Sequence, residues 1–281
     1  MLKGLVLKKQ ANLFTVALQD KTLTTVARKV LKKDGIFVGD YVLLDDDNAI
    51  CQIEKRKNVL IRPPVANIDR MFIVVAPVPK ADLYTVDKMI LFCKLNNIEP
   101  FICINKKDLD EEYCKNIEKI YKKTAKTMIF SSFDDSVMQI EKEIKGICVL
   151  AGQSAVGKSS IINALKKEQI AKVDTFSKKI ERGKQTTRTV QLFEFGKGNF
   201  LADTAGFSKL DEGLLDIRED EIKSYYPEFL EYAQECKYKS CAHLTDKDCG
   251  VVKAVKDGKI SKDRYQNYLK IYQTIKNIKR Y

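Results

Sequence analysis

Residues 147–165 read ICVLAGQSAVGKSSIINAL: five apolar residues, a glycine-bounded loop and a run with helical patterning. The loop carries the spacing G-x-x-x-x-G-K-[ST] between a strand and a helix, the setting in which that spacing builds a phosphate cradle. Gly152 and Gly157 permit a backbone path that turns successive N–H groups inward, at a helix N-terminus whose dipole favours anions. The intervening Gln153, Ser154, Ala155 and Val156 offer those groups, and Ser160 completes the set of expected nucleotide contacts. Lys158 is expected to reach the β and γ phosphates, and Ser159 to bind Mg²⁺.

The surrounding pattern suits such a loop. MFIVVA, FICIN, MIFSS, ICVLAG, QLFEF and NFLADT are short apolar runs, and VDKMILFCKLNN is helical between the first two. Apolar strands alternating with amphipathic helices predict an α/β domain with a mostly parallel sheet, which binds ligands at the carboxyl ends of its strands. Residues 1–65 differ: LVLKK, LFTVAL, TLTTVAR, YVLLDD and AICQIEK are separated by Gly, Asp and Asn turns, the spacing of a small barrel or sandwich. Pro63 and Pro64 in RPPVAN predict a linker there. From about residue 216 the chain is polar and helical, and after Gly258 the residues Tyr268, Ile271, Tyr272, Ile275 and Ile278 make one apolar helix face.

Base choice is read from NKKD, which follows the strand FICI. The Asp108 carboxylate can accept from both the N1–H and the exocyclic amine of guanine, whereas adenine would leave it desolvated and unpaired, a loss of about 1 to 3 kcal/mol. Asn105, Lys106 and Lys107 brace that loop and pack on the base, and Ser131 and Ser132 occupy the place of a third base-side loop. DTAG after NFLA reads as the Mg²⁺ and γ-phosphate loop, with Asp203 on the metal side and the Gly206 N–H toward the γ-phosphate. One of Thr186 and Thr187 in GKQTTR completes the Mg²⁺ shell, Thr187 being favoured. Phe207 stands where signalling GTPases place a water-orienting Gln, so Gln185 is the candidate catalytic group, with Thr187 and Gly206 beside it. In ordinary GTPases the phosphate loop comes first. Here NKKD and the serines precede it, so the order is circularly permuted.

CKYKSCAHLTDKDC places Cys236, Cys241, His243 and Cys249 in a C-x4-C-x-H-x5-C spacing around the chain's single histidine. Three thiolates and an imidazole suit one tetrahedral Zn²⁺ with no open position, hence a structural ion. The other five cysteines read as ordinary thiols, most of them in apolar runs, because no secretory signal is evident and the expected compartment is the reducing cytoplasm. With 44% hydrophobic residues in 281, the chain has material for two or three domains, and no apolar run approaches a membrane span. A formal net charge of +12 favours a polyanionic partner, either nucleic acid or an anionic membrane surface, and charge alone does not choose between them. Nine Lys and Arg fall in residues 251–281 against two Asp, which reads as a solvated basic face or a contact to nucleic acid.

Together these residues resemble the ribosome small-subunit-dependent GTPase A (RsgA) family. The resemblance covers nearly the whole chain: VGD at 38–40, RKNVLIRP at 56–63, ANID at 66–69, the four nucleotide motifs, the zinc ligands and VVKAVKDGKISKDRYQNYLK at 251–270. It implies an OB-fold RNA-binding barrel at residues 1–65, a circularly permuted GTPase domain at 66–215 and a helical zinc-binding domain at 216–281. It also implies GTP hydrolysis to GDP stimulated by the 30S subunit, contact with 16S rRNA, a late maturation role that includes release of ribosome-binding factor A, and no membrane association. A monomer is expected. Gln185 stands where the family usually has His, and Ala205 where it commonly has Pro.

Overall fold

The computed structural model describes residues 1–32, 35–167, 190–203, 217–245 and 247–278. They fall into two compact units, one within Met1–Val74 and Ser131–Ser208, the other within Val75–Phe130 and Lys209–Tyr281.

The first unit begins with the alternating segment, which forms β1 (Leu2–Gln10), β2 (Leu13–Ala17), β3 (Thr22–Thr25), β4 (Tyr41–Leu44) and β5 (Ile50–Ile53). β1 pairs antiparallel with β2 and β4, β2 with β3, and β4 with β5. Just beyond β3, Ala27 bridges Ile50 in parallel, with Ile50 N–H donating to Val26 O and Arg28 N–H to Ile50 O, both at 2.9 Å. The strands therefore close as β1-β2-β3-β5-β4-β1, the order of an OB-fold barrel. Its interior is Val6, Phe14, Val16, Ile36, Val42, Leu44 and Ile50, the inward half of the period-2 pattern. Asp40 of the VGD segment is fully buried and accepts from Phe37 N–H at 2.7 Å and from the Arg56 guanidinium at 2.7 and 2.8 Å.

A short hairpin follows, β6 (Val59–Leu60) and β7 (Val65–Ala66). Pro63 and Pro64 lie in its turn, where a linker was expected: Asn58 and Asn67 side chains bond backbone on either side and tie the segment down. Next along the chain come β8 (Arg70–Val75), α1 (Leu83–Leu95), β9 (Glu99–Ile104), α2 (Glu111–Tyr121), β10 (Lys126–Ile129), α3 (Met138–Glu141), β11 (Ile147–Ala151), α4 (Lys158–Lys166), β12 (Gln191–Glu194) and β13 (Phe200–Asp203). In the first unit β11 lies between β8 and β13, parallel to both. β12 departs from the parallel expectation: it is antiparallel to β13 and to β1, because only the five residues 195–199 separate it from β13. Lys8, Gln191 and Asp203 thus stand in one row across three strands.

The second unit holds the parallel pair β9 and β10, helices α1 and α2, and the C-terminal helices α5 (Pro227–Ala233), α6 (Gly250–Lys256) and α7 (Lys262–Ile278). α7 packs on α1 with Tyr268, Ile271 and Ile275 buried, three of the five residues of the expected apolar face. Arg264 is a correction to the basic-face reading of this segment. Its side chain is 2% exposed; the guanidinium donates to Glu228 Oε1 at 2.7 Å and to Thr124 Oγ1 at 3.2 Å, and contacts Asp87 Oδ1. Asn267 donates to the other Asp87 oxygen at 2.7 Å, and the guanidinium lies 4.4 Å from the Tyr226 ring centroid. Burial pushes the Asp87 carboxyl up, opposed chiefly by the Arg264 charge. Cys93, Cys103, Cys114 and Cys148 are buried thiols as expected, while Cys51 is half-buried and donates to Leu43 O.

Candidate nucleotide-binding and metal site

β11 delivers the chain to Gly152, whose φ is +133° and where a Cβ would stand 2.3 Å from Val74 O. Only glycine fits that approach. The loop turns again through Ala155 at φ +65° and Gly157 at φ +102°, the residue that precedes α4. Val156 is buried, Ser154 is exposed, and Gln153 presents a buried side-chain oxygen with no hydrogen-bond partner among the described residues. The Lys158 ammonium folds back over the loop, donating to Gly152 O at 3.0 Å and Gln153 O at 2.7 Å. Ser160 is half-buried in the first turn of α4.

The metal side of the site lies in the same unit. Ser159 Oγ donates to Asp203 Oδ2 at 2.7 Å, so the end of β13 meets the start of α4. A hydroxyl and a carboxylate oxygen held together are hard donors of the kind Mg²⁺ selects. Gln185, Thr186, Thr187 and Gly206 lie outside the described residues.

In the second unit, β9 ends at the NKKD loop. Asn105 is fully buried; its N–H donates to Val75 O at 2.9 Å and its Oδ1 accepts from Lys106 N–H at 2.8 Å. Lys106 adopts φ +61°, and its ammonium donates to Val78 O at 2.6 Å. Burial lowers the Lys106 pKa, partly offset by the nearby Asp108 charge. Lys107 N–H donates to Phe130 O at 3.2 Å, and Asp108 is exposed. Ser131 and Ser132, in the first unit, are both buried.

The four cysteine and histidine ligands converge. Their donor atoms all lie within 4.8 Å of one another. Cys236 Sγ is 3.7 Å from Cys249 Sγ and 3.5 Å from His243 Nδ1, and His243 Nδ1 is 3.4 Å from Cys249 Sγ. Tetrahedral ligation at Zn–S of about 2.3 Å and Zn–N of about 2.0 Å puts sulfurs roughly 3.8 Å apart and sulfur from nitrogen roughly 3.5 Å. The cluster fits a metal ion on these spacings. Helix α7 holds it from behind: Tyr265 Oη donates to His243 O at 2.9 Å and Leu244 O at 2.5 Å, and Tyr268 Oη to Ala242 O at 2.5 Å.

A family model described as RsgA GTPase matches residues 53–212, more than half of the chain. The chain belongs to the RsgA GTPase family. A second family model, described as 50S ribosome-binding GTPase, matches residues 147–278. The chain is 36% identical to the small ribosomal subunit biogenesis GTPase RsgA of Ruminiclostridium cellulolyticum, over 99% of this chain and 95% of that protein. It is 34% identical to the protein of the same name from Thermotoga neapolitana, over 97% and 96%. Among solved structures, YjeQ from Thermotoga maritima is similar with a TM-score of 0.76 at 31% identity, covering 98% of each chain. YloQ, described as a circularly permuted GTPase, has a TM-score of 0.73 at 30% identity, covering 99% of this chain and 96% of its own. As an RsgA GTPase the chain is a GTP hydrolase with its base-side motif ahead of its phosphate loop.

Four supports for these sites lie outside the sequence motifs. The Val78 carbonyl under Lys106 and the Tyr265 and Tyr268 hydroxyls act across long sequence separations. Ser136, which accepts from Ser131 N–H, had a local signal: Asp134 and Ser136 follow the two serines with the spacing of a capping turn.

Proposed function

We propose that this GTPase acts on the small ribosomal subunit, hydrolysing GTP to GDP and phosphate when the subunit engages it, and assists the subunit's late maturation. The observation that carries the reading is the Ser159–Asp203 hydrogen bond at the mouth of the glycine-bounded loop, in a chain whose full-length relatives are named for small-subunit biogenesis. Residues 152–160 hold the phosphates, with Lys158 released from the loop carbonyls to neutralise phosphate charge. Ser159, Asp203 and Thr187 hold Mg²⁺, which when bound draws charge from the β and γ phosphate oxygens. Asp108 accepts from the guanine N1–H and 2-amine, Asn105, Lys106 and Lys107 shape that loop, and the Ser131–Ser132 loop offers donors to the keto oxygen on the same edge. The Gly206 N–H meets the γ-phosphate, and Gln185 orients the attacking water.

The domain division that goes with this is a barrel at 1–65 that contacts 16S rRNA, a GTPase domain at 66–215 and a zinc-binding helical domain at 216–281. Zn²⁺ is the ion for the three thiolates and His243, in a structural role. Release of ribosome-binding factor A is the assembly step we assign, in the cytoplasm, with the protein working as a monomer. No helix among the described residues is long and apolar enough to cross a membrane.

Steady-state GTP turnover with and without purified 30S subunits tests the proposal. Stimulation of at least about tenfold is expected, lost in Gln185→Ala and weakened steeply by added salt because phosphate contacts release counterions. Turnover indifferent to 30S subunits would refute the partner; full stimulation of Gln185→Ala would refute the catalytic assignment alone.

A further inference from the structure

We infer that Ser136 is a positioning residue for guanine recognition: its hydroxyl, aimed by Asp134, fixes the Ser131–Ser132 loop that meets the keto edge of the base. The inference rests on the proposal that this loop contacts guanine. Ser131 and Ser132 are 2% and 7% exposed, so the loop's own polar groups need partners inside the protein before any group can be presented to a ligand. For Ser131 such partners lie within residues 131–136. Ser131 N–H donates to Ser136 Oγ at 3.0 Å, Phe133 N–H to Ser131 Oγ at 3.3 Å, and Asp134 N–H to Ser131 O at 3.3 Å.

The direction of the Ser136 hydroxyl follows from chemistry. A carboxylate only accepts, so the short contact between Ser136 Oγ and Asp134 Oδ1 sends the hydroxyl hydrogen to Asp134. A lone pair is thereby turned toward the Ser131 N–H. Asp134 also caps the 3-10 turn Asp135–Val137 by accepting from Ser136 N–H at 2.8 Å, and Gln139 Nε2 donates to Ser136 O at 2.9 Å. That turn packs against α4, the helix that leaves the phosphate loop. One serine hydroxyl therefore joins the loop backbone to an element seated on the phosphate-binding helix. Pre-satisfied groups of this kind hold a recognition loop in its binding shape and lower the ordering cost of the ligand.

The test is calorimetric binding of GDP and of 6-thioguanosine diphosphate, which keeps N1–H and the 2-amine and replaces only the keto oxygen. Wild-type protein is expected to prefer GDP. Ser136→Ala leaves the Ser131 N–H without its acceptor, and should weaken GDP roughly tenfold while leaving the thio analogue nearly unchanged, erasing the preference. Ser136→Thr keeps the hydroxyl and should restore it. Retained binding of the thio analogue also reports that Ser136→Ala is folded. If Ser136→Ala keeps the wild-type preference, whether both nucleotides weaken together or neither does, the positioning role is overturned and the loop reading stands. A wild type that binds both nucleotides equally would overturn the loop reading itself, and this inference with it.

Discussion

Arg264→Met is expected to lower the free energy of unfolding by about 3 to 5 kcal/mol. The side chain is 2% exposed, and its guanidinium is the cation between Asp87, which is fully buried, and Glu228, which is 10% exposed. Without it two carboxylates share a dry site, and burial already pushes Asp87 toward its neutral form. The segments it joins are far apart in sequence: Asp87 in α1, Thr124 after α2, Glu228 in α5 and Arg264 in α7. Urea unfolding of the variant checks the figure. A second variant, Arg264→Met with Asp87→Leu and Glu228→Gln, should recover most of the loss, since an apolar replacement removes the desolvation term together with the attraction. A change below about 1 kcal/mol in the single variant would mean that the network adds little to stability.

Loss of the proposed zinc is expected to have the other large effect. Structural zinc contributes on the order of 10 kcal/mol to small metal-organised units, and the segment from Cys236 to Cys249 contains no helix or strand of its own among the described residues. Cys241→Ser, or treatment with a strong chelator, should abolish stoichiometric zinc and lower the melting temperature on the order of 10 °C. The loss should spread along α7, because the Tyr265 and Tyr268 hydroxyls bind the carbonyls of Ala242, His243 and Leu244. Hydrogen exchange of α7 together with metal analysis checks this. A metal-free protein with unchanged melting and unchanged protection of α7 would contradict the structural role.

Much of this was legible because it is local. The phosphate loop announces itself by two glycines that must adopt positive φ between a buried strand and a helix, and the Cys/His spacing by ligand chemistry confined to fourteen residues. The barrel strands were legible from alternation, since Val6, Phe14, Val16, Val42 and Leu44 all point inward. Pairing between distant strands was not. Nothing in QLFEF says that it runs antiparallel to β13 and lies beside β1, because the choice is made by the short connection to β13 and by an open strand edge in another segment. Arg264 illustrates the second kind of miss. In sequence it sits among lysines and counts as surface charge, and only the convergence of three acidic or hydroxyl partners from other segments makes its burial favourable.

The central claim is that one guanine nucleotide is held at its base by Asp108 and at its phosphates by the loop around Lys158. Calorimetric titration of GDP and xanthosine diphosphate into wild-type protein and Asp108→Asn tests it most directly, because xanthine carries a carbonyl where guanine carries the 2-amine and the Asn amide can donate to it. The account predicts one site per chain, GDP weakened about a hundredfold in Asp108→Asn, and xanthosine diphosphate gaining in its place, with Lys158→Ala weakening both. GDP bound as tightly by Asp108→Asn as by wild type would contradict it.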